Sequence, residues 1–153
     1  MRIALLLVAL LASGCVRTHT DPVTGKTDVD VESPLKKGED WSGDLKGMGQ
    51  WMGLSGVARA RVLSGETNVT ITLRNATPGG VHPWHLHDGA CGAGGGIVGA
   101  PGSYTPLVIG NDGTASATAK IMGALSEAKQ YSVNVHKSPS EMSTYVACGN
   151  IKD

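Results

Sequence analysis

From Thr67 to Arg74 the chain alternates strictly, with Val69, Ile71 and Leu73 on one side and Asn68, Thr70, Thr72 and Arg74 on the other. Residues two apart share a face only in a strand, so the run predicts a half-buried β-strand and excludes a helix over the same residues. A second alternation covers 56–63, where Val57, Arg59, Arg61 and Leu63 oppose Ala58, Ala60 and Val62 without showing which set is buried. Shorter strand-like runs lie at 107–109, 114–121, 132–136 and 144–148, with turn signals at Pro78-Gly79-Gly80 and Asn111-Asp112-Gly113. The chain has 22 Gly and no Phe, and Val, Thr and Ile dominate its apolar stretches, which disfavours helix and favours strand. The expected fold class is all-β, an antiparallel barrel or sandwich with short loops.

The first residues point to export. Met1-Arg2 is a short positive start, Ile3 to Ala12 is an apolar run, and Ser13-Gly14-Cys15 closes it with small residues. A run of about ten residues is too short for a permanent membrane span. The segment resembles a bacterial lipoprotein signal, with Ala12 where that class usually has Leu. The resemblance implies a signal peptide over 1–14, lipid on Cys15 and an anchor in the cell envelope, facing the periplasm or the cell exterior. Plain secretion with cleavage near 12–14 is the alternative. Residues 15–40 are rich in Asp, Thr, Lys and Gly and read as a flexible tether, leaving 41–153 as one β domain. Once Arg2 leaves with the signal, 12 basic residues face 13 acidic ones, so the mature chain carries no nucleic-acid footprint.

With Cys15 assigned to lipid, Cys91 and Cys148 remain as an even pair in an oxidising compartment, where a disulfide is the default fate and two free buried thiols the alternative. They lie 57 positions apart.

The most informative segment is Val81-His82-Pro83-Trp84-His85-Leu86-His87-Asp88-Gly89-Ala90-Cys91. On a strand His85 and His87 stand side by side while Trp84 and Leu86 turn to the opposite face, so two imidazoles can reach one ion. In Tyr131–His136, Val133 and Val135 take one face and His136 the other, which makes His136 a third candidate ligand. An imidazole set suits Cu, Zn, Fe or Ni, and spacing does not choose among them. Ala93–Gly96 reads as a flexible loop near this site.

Gly80–His87, the following Cys91, Val135-His136 and the ending Ala147-Cys148-Gly149-Asn150-Ile151 together resemble the copper/zinc superoxide dismutase family, in the same order. The resemblance spans roughly 41–151 and implies an eight-stranded Greek-key β-barrel. It implies copper ligation by His85, His87 and His136, and an intrasubunit Cys91–Cys148 disulfide. His82 matches a histidine that braces the copper loop without binding metal; an ordinary surface residue is the alternative there.

The departures are equally specific. Gly92 to Gly110 contains no His, Asp or Glu, so the zinc site of the family is not expected. The charged guidance loop is reduced to 122–129, and Tyr145 stands where the family has an arginine beside copper. Three functional readings follow: a copper-only dismutase acting on superoxide, a non-catalytic envelope protein that stores or delivers copper ion, and a metal-free relative of the fold. Oligomeric state is open.

Overall fold

The computed structural model describes residues 16–20, 24–31 and 38–153. The expected signal segment 1–14 and the lipidation residue Cys15 lie outside the described residues. Within the stretch expected as a tether, β1 (Val16–Thr20) and β2 (Thr27–Val31) pair antiparallel, with Val16 opposite Val31 and Thr20 opposite Thr27.

The remaining described chain is all β. Its strands are β3 (Glu39–Gly47), β4 (Ser55–Leu63), β5 (Glu66–Arg74), β6 (Val81–His82), β7 (Trp84–Asp88), β8 (Leu107–Val108), β9 (Ala115–Met122), β10 (Tyr131–His136) and β11 (Tyr145–Ile151). Seven of them form one curled antiparallel sheet in the order β7-β10-β11-β3-β4-β5-β9, a half-barrel. β6 and β8 form a separate ribbon, and β8 lies against β9. Pro83 alone separates β6 from β7, because a residue without an N–H interrupts the ladder. The chain crosses from β5 to β7 and back from β9 to β10, which gives a Greek-key path.

β5 buries Thr67, Val69, Ile71 and Leu73 and exposes the polar set, as the alternation requires. The two-sided pattern of β4 resolves in favour of Ala58, Ala60 and Val62 inside, because the other register would bury Arg59 and Arg61. Ala58 sits opposite Ile71 and Ala60 opposite Val69, small against large. β3 begins at Glu39, two residues before the domain start expected at 41. Its inward residues are Trp41, Gly43 and Leu45, and a Cβ at Gly43 would stand 1.9 Å from the Asn150 carbonyl oxygen. Gly149 on β11 reciprocates, its Cβ position lying 2.1 Å from the Asp44 oxygen. Two glycines therefore let β3 and β11 approach closely enough to continue the sheet.

Candidate metal centre

β7 and β10 are antiparallel neighbours, with Leu86 opposite Val133 and Trp84 opposite Val135. These four side chains are fully buried in the core, and Trp84 Nε1 donates to the Thr105 carbonyl at 2.8 Å. The pleat turns His85, His87 and His136 to the other face. His136 ends β10 at a register break, where β11 places Tyr145 opposite it after placing Ala147 opposite Val135. The bulge re-aims His136 toward the β7 histidines.

The three rings meet, with centroids 5.9 Å apart for His85–His87, 5.1 Å for His85–His136 and 6.1 Å for His87–His136. One ring nitrogen from each lies within 4.8 Å of the others. Among the described residues these three form a group of His, Cys, Asp or Glu able to hold a metal ion. Their face is not open to solvent: relative exposures are 6% for His85, 6% for His87 and 4% for His136. Loops cover it, and those loops also set the tautomers. His87 Nδ1 donates to the Gly95 carbonyl at 2.8 Å, and His136 Nδ1 donates to the Met142 carbonyl. Each donation leaves Nε2 as a lone pair facing the cluster.

His87 Nε2 is buried without a hydrogen-bond partner, a costly state for a polar atom with nothing to bind. His136 Nε2 lies 3.1 Å from His85 Nδ1. Metal–imidazole bonds of about 2.0–2.1 Å put neighbouring ligand nitrogens about 3–3.4 Å apart, so that spacing fits a shared ion. The donor set fits a metal.

Burial favours the neutral form of His85 and His136. Burial first, then the His136 and His87 charges, push the His85 pKa down to about 4. Burial likewise lowers His136, partly opposed by its bond to Met142. A neutral imidazole is the metal-binding form. Tyr104 packs edge-on against His85 at 5.1 Å and donates its hydroxyl to the Val98 carbonyl at 2.6 Å; burial raises its pKa to about 12. Tyr145, half-buried, stands 5.1 Å from His136.

The supporting residues fall into place around the triad. His82 Nδ1 lies 3.1 Å from the His136 carbonyl oxygen, which ties β6 to the backbone of a ligand strand. Cys91 and Cys148 form a disulfide, and Cys91 N donates to Asn150 Oδ1 at 2.7 Å. This pins the loop after β7, the one that supplies Gly95, to β11. Met142 meets His136 through its carbonyl on the Nδ1 side, away from the metal-facing nitrogen.

Gly95 and Tyr104 were not legible as site residues. The glycine run 93–96 was the available signal for Gly95, but glycine richness reads only as a loop. Clefts of about 290 Å³ beside Trp41 and Tyr131 and about 400 Å³ beside Trp51 and His82 leave out the three ligand histidines.

The sequence matches no family model and no curated protein.

Proposed function

We propose that this chain is a copper-binding, superoxide-dismutase-like lipoprotein of the cell envelope. The observation that carries the reading is the convergence of three buried imidazoles, with one ring nitrogen of each within 4.8 Å of the others and His87 Nε2 left without a hydrogen-bond partner. His85, His87 and His136 would hold the ion. Gly95, Met142 and His82 would fix ring tautomer and backbone position, and Tyr104 would exclude water from the His85 side.

Bound copper would supply a one-electron couple, through which two superoxide ions and two protons give oxygen and hydrogen peroxide. The second reading, a non-catalytic copper holder, is favoured by Tyr145, which puts a neutral ring beside His136 where an incoming anion would be helped by a cation. The order of histidines and cysteines supports the family likeness, and the Met1–Cys15 pattern supports lipid anchoring.

The test is to load the purified protein with copper, count bound metal, and assay superoxide removal beside a His85→Ala/His87→Ala double variant. One equivalent of copper with histidine-dependent turnover supports the enzyme. One equivalent without turnover selects the holder, and no tight copper rejects both. Acylation at Cys15 is read from the intact mass of the mature N-terminus and is lost in Cys15→Ala.

A further inference from the structure

We infer that the triad is built for a soft monovalent ion, Cu(I), in preference to Cu(II); this rests on the copper reading above. Among the described residues, the hydrogen-bond and ring partners of the three imidazoles are uncharged groups. His85 meets His87, His136 and Tyr104; His136 meets Tyr145 and the Met142 carbonyl; His87 meets the Gly95 carbonyl. The two acids closest in sequence to the ligands are already committed elsewhere. Asp88 pairs with Lys129 and Glu141 with Lys137, each at 2.7 Å and at the surface. Among the described residues no carboxylate or thiolate joins the histidine group.

Three neutral ligands leave the whole ionic charge in place, within a site whose ligands are 4–6% exposed. The cost of burying charge rises with its square, so a divalent ion suffers about four times the desolvation of a monovalent one. Divalent ions in three-imidazole sites relieve this by holding water that ionises near neutrality, which requires an open, solvated fourth position. Here Tyr104 stands on one imidazole, Tyr145 on another, and loops cover the face. A monovalent ion needs no such anion and accepts a low coordination number.

The experiment measures both affinities on the purified protein by chelator competition, Cu(I) under anaerobic ascorbate and Cu(II) in air. Cu(I) should bind at least about a thousandfold more tightly, which raises the bound couple above the aqueous one by about 180 mV at about 59 mV per tenfold. Silver(I), with the same charge and softness, should displace Cu(II) completely. Tyr145→Glu, which places a carboxylate against the His136 ring, should cut the preference at least tenfold. Azide, an anion that binds Cu(II) wherever a fourth position is open, should leave both affinities unchanged, because the face of the triad is covered. Cu(II) bound as tightly as Cu(I), or Cu(II) binding strengthened by azide, overturns the inference while leaving the copper site standing. Failure to bind copper in either state rejects the site itself.

Discussion

Gly95→Ala tests the coupling of loop and ligand most sharply. The added Cβ would stand 1.4 Å from the Asp88 carbonyl oxygen and 2.6 Å from its carbon. Both are backbone atoms, so no side-chain rotation relieves the clash, and the segment must move by more than an ångström. It is held by Asp88 N donating to the Gly96 carbonyl at 2.9 Å, Gly89 N to the Gln130 carbonyl at 2.7 Å, and the disulfide at Cys91. Overpacking of this kind costs about 1–3 kcal/mol. Displacing the Gly95 carbonyl also breaks the bond from His87 Nδ1, which adds about 1 kcal/mol. The expected loss is roughly 2–4 kcal/mol in urea denaturation, together with a 10- to 100-fold loss of metal affinity of the order seen when a ligand histidine loses its outer partner. The neighbouring Gly96→Ala is the control, since its Cβ meets nothing within 4 Å. It should stay within about 1 kcal/mol of the parent protein. If the two variants unfold at the same urea concentration and bind copper equally, the steric argument fails and Gly95 does not orient His87.

Acid should weaken the fold through His85. Its folded pKa of about 4 lies below the ordinary imidazole value of 6.5, so the unfolded chain binds the proton first; this contribution to stability is intact above 6.5, falls between 6.5 and about 4, and is gone below that. The loss should be about 3 kcal/mol, and His85→Gln should flatten that part of the denaturation profile; parallel profiles would refute it. Replacing Cys91 and Cys148 by Ala opens a loop of 57 residues. It should cost about 3–4 kcal/mol on the chain-entropy account, read from thermal or urea unfolding. Tyr104→Phe removes the hydroxyl bond to Val98 but keeps the ring on His85. It should lower stability by about 1–2 kcal/mol with copper stoichiometry unchanged, and a loss of copper would show that the hydroxyl does more than pin the loop.

Much of the barrel could be read from alternation, and its gaps have physical causes. β5 was legible because Val69, Ile71 and Leu73 fill every inward position. β3 was not, because its middle inward position is Gly43, which faces a neighbouring carbonyl and not the core. An apolar period of two is then seen as one of four. β11 runs on to Ile151, past the end expected at 148, since Gly149 looks like a stop although it is a contact. The β1–β2 pairing was missed inside a polar stretch because backbone ladders need no apolar face. At the site, the i, i+2 histidines were local and visible. The enclosure of that face was not, because it comes from loops whose paths are set by a disulfide and two carbonyls.

Those carbonyls also bear on the kind of ion the triad could hold. Histidine ligands often lean on a carboxylate, which raises their basicity and brings a negative charge near the ion. Here His87 and His136 lean on backbone oxygens of Gly95 and Met142. A carbonyl fixes the tautomer equally well, yet it neither titrates nor carries a full charge. The site is thereby oriented before any ion arrives, and it stays electrically neutral in doing so. Cys91 helps to hold Gly95 by anchoring its loop to β11, so the disulfide, the glycine run and the histidines act as one unit. The same three histidines on two strands, with the loop released, would keep their spacing and lose the fixed direction of His87 Nε2.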